Sequence, residues 1–304
     1  MTVSNHGQQE IELSIILLSY NTAILTKKCI ESIIKEIGEQ MKYEIIVFDN
    51  DSTDETVTVI KKLAIKNNNL KYFHNKENLG FAKGNNRAVT HAKGKYLLFL
   101  NTDTVVLDNA VARLFKYYKE NEETLHFLGG KLLNNDRTDQ PSCGLFYSLP
   151  VVFAALFLKG DYWGLTRSSP NEAKKVDWVS GACIMTRKDI FKKLGGFDKK
   201  IFMYMEEIDL LYRAAKQDLK TYFYPEARFV HLGSASSAGR TFPILQVYKG
   251  LIYFYKKHHS TVAFAILKGM LQLKALLLVG VGRLTKNSYL VKTYEHAYKI
   301  TEMV

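Results

Sequence analysis

The sequence predicts an α/β fold, a mostly parallel sheet flanked by helices, with a helical extension at the C-terminal end. Three observations predict it. Apolar strand-like runs alternate with helical spacings through the first hundred residues; these runs end in polar side chains; and beyond Gly239 two long helical patterns follow with no further strand. The expected units are an α/β unit over residues 1–239 and a basic amphipathic extension over 240–304.

SIILLSYN is a continuous apolar run ending in Ser19, Tyr20 and Asn21, and Leu25, Cys29, Ile33 and Ile37 then recur four apart, so a helix follows a buried strand. YEIIVFDN is a second buried run ending in Asp49 and Asn50. DSTDET reads as a helix start, continued by Val57, Ile60, Leu63 and Ala64. KYFHN is a short third strand, NLGFAKGNNRAV a turn into a small-residue helix, and KYLLFLNTDT a fourth strand ending in Asn101, Thr102 and Asp103. In an open parallel sheet the ligand crevice lies beyond the carboxyl ends of the strands, so these polar ends converge there, and a nucleotide is the natural occupant.

Residues 136–170 read as irregular, with an apolar insert, LPVVFAALFLKGDYWGL, that is either a core helix or an acceptor-side or membrane-facing loop. DWVSGACIMTRKDIFKKLGGFD resumes as a strand and a short helix stopped by Gly195. MEEIDLLYRAAKQ is a two-faced helix, and TYFYPEARFVHLG has strand character before the small-residue run GSASSAG.

With 304 residues, 47% hydrophobic and 24% charged, the composition is globular. Cys29, Cys143 and Cys183 are odd in number and widely spaced. They form neither a disulfide framework nor a metal knuckle, fit a reducing compartment, and at 29 and 183 read as small core residues. IELSIILLSYN is too short and too β-branched for a signal peptide or spanning helix. The net charge of +12 is uneven: from Ser236 onward ten Lys/Arg stand against two acids, leaving +8 there and +4 elsewhere.

Asp103, at the end of a buried strand, suits a hard divalent cation shared with phosphate oxygens, or a cap on a helix beginning near Leu107. His231, after the strand RFV, could reach the same crevice. Glu206 and Glu207 lie in a first helical turn, where acids favour the helix dipole; one of them could instead be a general base. Asp209 and Arg213 form an i,i+4 ion pair. The glycines at 80 and 84 among amides match neither a Walker loop nor GxGxxG.

Taken in order, SIILLSYN, VFDNDSTDET, NLGFAKGNNRA, YLLFLNTDT, DWVSGACIMTRKDIFKKLGGFD, FMYMEEIDLLYRAAKQ and FVHLGSAS resemble the successive blocks of GT-A fold inverting glycosyltransferases of the family-2 type. The nearest likeness is to bacterial rhamnosyltransferases of polysaccharide synthesis, over about residues 11–240. The resemblance implies that Ser19, Tyr20, Asn21, Asp49 and Asn50 hold base and ribose, and that Asn78, Gly80, Lys83, Asn85 and Thr102 line the nucleoside-diphosphate site. It places Asp103 at the metal-binding acid of the DXD motif, here NTD and short of the first acid, with His231 as the second ligand to Mg²⁺ or Mn²⁺. Trp178, Gly181 and Ala182 would wall donor sugar and acceptor. Glu206 and Glu207 stand for the family's paired acids, Glu207 at the base position, with the base open between the two. The implied partners are a dTDP- or UDP-sugar donor, dTDP-rhamnose first, and a saccharide or polyprenyl-linked saccharide acceptor.

TVAFAILKGMLQLKALLLVGVG is interrupted by Lys268, Gln272 and Lys274, which favours a helix lying in the membrane interface over a spanning one; helices packed on the α/β unit are the alternative. The expected location is cytoplasmic, peripheral at the inner face of the membrane. A non-catalytic nucleotide-sugar-binding protein is the competing class; nucleic acid is disfavoured because the cations lie among long apolar runs.

Overall fold

The computed structural model describes residues 10–38, 40–233 and 241–304. The boundary expected at Gly239 and the small-residue run from Ser234 lie outside the described residues. β1 (Leu13–Ser19), α1 (Ala23–Ile37), β2 (Tyr43–Asp49), α2 (Thr56–Lys66), β3 (Leu70–His74), α3 (Gly80–Val89) and β4 (Tyr96–Leu100) alternate as the sequence predicts. Helices cover both faces of this half of the sheet, which is why β1, β2 and β4 are buried almost throughout. Cys29 is buried in the stripe of α1 that packs on the sheet, and Cys183 in its own strand, both as core residues.

Then come β5 (Thr104–Val106), α4 (Ala110–Glu120), β6 (Phe127–Leu133), β7 (Asp139–Gln140), β8 (Cys143–Gly144), α5 (Leu149–Phe157), β9 (Arg167–Ser168), β10 (Lys174–Val176) and β11 (Trp178–Val179). β12 (Cys183–Arg187), α6 (Lys188–Lys193), α7 (Glu206–Ala215) and β13 (Thr221–His231) complete the α/β unit. The main sheet runs β10-β13-β6-β12-β4-β1-β2-β3, with β5 on β13 and β7 on β6. β4, β1, β2 and β3 are parallel, as β6 and β13 are to each other, while β12 runs antiparallel between the two sets. β11, β8 and β9 form a small second sheet.

Two local expectations are corrected here. Asp103 is not a helix cap: β5 follows it, and α4 begins only at Ala110 with Asn109 at its N-cap position. The stretch 136–170 carries three short strands and α5, a half-buried helix whose Val152 joins the core and whose Leu149, Val151 and Leu156 pack against it while Phe153 is exposed.

The extension holds three helices rather than two long patterns: α8 (Thr241–His258), α9 (Thr261–Leu284) and α10 (Ser288–Glu302). The break after Leu284 falls where Asn287 caps α10, its side chain accepting from the Leu290 N–H at 3.1 Å. α8 packs into the core of the α/β unit: its Leu251, Ile252 and Phe254 belong to one apolar cluster with Phe99, Ile208 and Leu211. A buried polar joint reinforces this. The Asp209 carboxylate of α7 accepts from Arg213 at 2.8 Å and from Lys257 and His258 of α8 at 2.7 Å each. Gly250 lets α8 approach still closer, because a Cβ there would lie 2.6 Å from the Met205 side chain. The extension therefore buttresses the turn that presents Glu206 and Glu207.

Candidate functional site

The ends of β1, β2 and β4 meet the start of α3 as expected. The Asn50 amide donates to Asn78 Oδ1 at 2.8 Å and accepts from the Leu79 N–H at 3.0 Å, tying β2 to the turn before α3. Gly80, at φ +75°, has the Phe202 carbonyl 2.5 Å from where a Cβ would stand, and Phe81 N–H donates to that carbonyl at 2.7 Å. The segment before α7 is thereby pinned over the strand ends. A cavity results, lined by Tyr20, Asn50, Asn78, Gly80, Thr102 and Asp103 among the residues expected, and by Leu18, Thr22, Phe81, Asn101 and Met203 besides.

Five expected nucleotide residues, Ser19, Asn21, Asp49, Lys83 and Asn85, do not line this cavity. The Ser19 hydroxyl is buried and bonded to Thr22 and Thr26 at 3.1 and 2.9 Å. Asn21, at φ +52°, uses its carbonyl oxygen on the Thr53 N–H at 2.7 Å. Asn85 is buried and donates to the Phe81 carbonyl at 3.0 Å, one helical turn back. Lys83 is exposed on α3. Strand-end and helix-start residues of these types satisfy local backbone groups as readily as a ligand, and local sequence does not separate the two uses. Asp49 is different. Its Oδ2 binds Ser52 N–H at 3.1 Å and His74 at 2.9 Å, while its Oδ1 is buried without a partner.

β13 carries His231 to the same place, paired through β5 with Thr104. His231 Nε2 lies 3.3 Å from Asp103 Oδ1, both side chains largely buried. Neighbouring ligands of one octahedral ion bound at about 2.1 Å stand roughly 3 Å apart, so this carboxylate and imidazole fit a shared divalent cation. No cluster of three or more His, Cys, Asp or Glu suited to a metal occurs among the described residues. An ion here would thus take its remaining ligands from phosphate oxygens and water, as Mg²⁺ does at phosphate sites. The ring's other nitrogen, Nδ1, is 2.7 Å from Gln140 Oε1, a partner the sequence did not signal.

Glu206 and Glu207 open α7 directly after Tyr204 and Met205, both at positive φ (64° and 75°), a strained turn held against α8. Both carboxyl groups are buried with an oxygen lacking a partner. Burial, then the charge of Glu207, raises the Glu206 pKa well above the usual carboxylate range. Burial also raises Glu207, but the Arg167 cation and the N–H groups of Gly181 and Ile208 oppose that rise. Of the two, Glu207 is the one with the Arg167 cation and the Gly181 and Ile208 N–H groups around it, an environment that favours its charged form over that of Glu206.

Gly181 backs the Glu207 side chain. Trp178 and Ala182 are buried behind it: the indole donates to the Leu145 carbonyl at 2.8 Å and carries Arg167 over its ring at 5.6 Å. Trp178 therefore supports the wall rather than forming its surface. Arg167, from the stretch read as irregular, is the charged neighbour of Glu207 that sequence reading missed.

A profile described as Glycosyl transferase family 2 matches residues 14–195. The chain is 26% identical over 227 residues to rhamnosyltransferase WbbL of Escherichia coli (strain K12), covering 71% of this chain and 82% of that one. It is 27% identical over 135 residues to glycosyltransferase GlyG of Streptococcus pneumoniae serotype 4, covering 44% of this chain and 42% of that one, so it spans less than half of that relative. Among solved structures it resembles mannosyltransferase PcManGT from Pyrobaculum calidifontis, in complex with GDP-Man and Mn²⁺, at TM-score 0.60 and 15% identity, covering 97% of this chain and 88% of that one.

Proposed function

The chain belongs to glycosyl transferase family 2 and has the GT-A fold, and from that premise we propose that it is an inverting transferase. It would move a sugar from a nucleoside-diphosphate donor to a hydroxyl of a saccharide or polyprenyl-linked saccharide in cell-surface polysaccharide synthesis. The observation that carries the proposal is the Asp103–His231 pair, 3.3 Å apart, with Asp103 lining the strand-end cavity and Glu207 of α7 meeting Gly181 beside the cavity residue Phe81.

Asn50, Asn78 and Gly80 shape the nucleotide cradle, and the unpartnered Asp49 Oδ1 offers an acceptor to a pyrimidine N–H, which thymine and uracil both have. Glu207 takes the proton of the acceptor hydroxyl. That oxygen bonds to the anomeric carbon from the face opposite the diphosphate, and the bond from that carbon to the phosphate oxygen breaks, its electron pair leaving with the nucleoside diphosphate. A divalent ion, Mg²⁺ or Mn²⁺, held by Asp103 and His231 would neutralise charge developing on the departing diphosphate. The relative WbbL, a rhamnosyltransferase, supports dTDP-rhamnose as first donor, with UDP-hexose and UDP-galactofuranose as alternatives. Nucleoside diphosphate released from each donor in the presence of Mn²⁺ or Mg²⁺ tests this. The dTDP-rhamnose rate is expected to be highest, and no release from any donor would return the chain to the binding-only class.

We also propose that the protein works at the inner face of the cell membrane, docked through α9. This helix is long and apolar enough to cross a membrane, yet only 22% of its most apolar stretch is buried. Leu267, Leu271, Ala275 and Val279 face the protein, and Val262, Ile266, Leu273, Leu277 and Leu284 are exposed roughly half a turn away. The lysines that break the run in sequence do not break this face: Lys274 donates to the Leu156 carbonyl of α5 at 2.6 Å and Lys268 to the Val304 carbonyl at 2.7 Å. Exposed Phe153, Tyr162 and Trp163 lie on and just after α5, which packs on α9, and the excess of cations in the extension suits an anionic leaflet. In flotation with phosphatidylglycerol vesicles the wild type is expected to rise with the lipid and a Leu273→Lys/Leu277→Lys double variant to stay below. Equal flotation of both would remove α9 as the docking face.

A further inference from the structure

We infer that Gln140 is a positioning residue that fixes the tautomer of His231 and so aims the Nε2 lone pair at the site His231 shares with Asp103; the inference rests on the metal-site reading above. β7 pairs Gln140 with Leu132 of β6, which brings it beside the end of β13. Its amide can be oriented from backbone groups alone. Asn134 Nδ2 donates to Thr138 Oγ1 at 2.9 Å and to the Asp139 carbonyl at 3.3 Å, and a carbonyl can only accept. Asn134 therefore turns its Oδ1 toward Gln140. Gln140 Nε2 stands 3.1 Å from that oxygen and 3.2 Å from the His231 carbonyl, two acceptors, so this end of the amide is the NH₂.

The other end, Oε1, is then fixed as an acceptor 2.7 Å from His231 Nδ1, which must donate. A neutral imidazole has one N–H, so Nε2 is left with its lone pair. That lone pair and a carboxylate oxygen of Asp103 face each other across 3.3 Å, with the Asn101 amide at 3.4 Å from Nε2. Two acceptors so placed, with no proton between them, are what a cation joins. Partners that fix a ligand histidine in this way are worth about 10–100-fold in metal affinity. Here the one acid missing from the NTD motif raises the weight carried by the imidazole.

Two measurements test this. Side-chain ¹⁵N NMR of the metal-free protein, recorded with the imidazole neutral, should report the Nδ1–H tautomer; an Nε2–H tautomer would overturn the inference. Mn²⁺ binding followed by EPR in the presence of nucleoside diphosphate should weaken about 10–100-fold in Gln140→Leu. Wild-type affinity in Gln140→Leu counts against it. His231→Ala separates the two levels: if it too leaves Mn²⁺ affinity unchanged, the metal-site reading fails, whereas weakening by His231→Ala without weakening by Gln140→Leu sinks only the role of Gln140.

Discussion

Asp103→Ala is expected to lower kcat/KM by at least about 10³-fold and to abolish Mn²⁺ binding, while nucleoside binding and folding persist. Loss of one preorganised group at a developing charge costs about 10²–10³-fold, and Asp103 is the only carboxylate at this site among the described residues, so the loss lies at or beyond the top of that range. Folding should be spared because the side chain's hydrogen-bonding environment is thin. Its carboxylate faces His231, and the backbone holds its position independently: Leu232 N–H donates to the Asp103 carbonyl at 3.0 Å, and β5 follows at once. Removing a largely buried carboxylate that waits for an ion relieves a desolvation cost and should leave Tm equal or higher. Steady-state kinetics, Mn²⁺ EPR and nucleoside calorimetry on one preparation check the three parts. Retention of a tenth or more of wild-type activity would move the metal elsewhere.

The sequence carried this half of the site because its signals are local. A buried run ending in Asn-Thr-Asp, or in Asp-Asn, shows both its strand and its polar end within a few residues. The same locality leaves Ser19 and Asn85 two uses, and here the Ser19 hydroxyl bonds Thr22 and Thr26 while Asn85 donates to the Phe81 carbonyl. What was not legible depends on contacts far apart in the chain. Gln140 meets His231 across 91 positions, from a strand of two residues that no periodicity could reveal. Gly250 reaches Met205 only because α8 is docked into the core, so the bracing of the turn before Glu206 by the extension has no local signal in sequence. Lys268 and Lys274 appeared to interrupt an apolar helix; their direction around that helix, and the carbonyls that receive them, required coordinates.

Glu206 and Glu207 are where sequence left two neighbours open, and their environments separate them. Glu207→Gln is expected to cost about 10²–10⁴-fold in kcat, the usual worth of a general base, with donor binding intact. Glu206→Gln is expected to stay within about tenfold of wild type, because burial and the neighbouring Glu207 charge disfavour its charged form, so an amide there removes little charge chemistry. The pH dependence follows from the direction of the shifts. Burial raises Glu207, and the inactive form is the protonated one, so kcat should fall as pH drops through a value above the ordinary carboxylate range of about 4. If Glu206 is neutral while Glu207 titrates, that acid limb stays in place in Glu206→Gln. Stability gives an independent readout. With the folded pKa of Glu206 raised, the native state favours the protonated form: its contribution is complete below the unfolded value near 4 and is lost as pH rises toward the folded value. Glutamine carries no such loss, so the Tm of Glu206→Gln should match wild type in acid and exceed it at neutral pH. A deeper kcat loss in Glu206→Gln than in Glu207→Gln would exchange the roles of the two acids, and the Arg167 cation, which holds charge on Glu207, would then be acting on the wrong partner for catalysis.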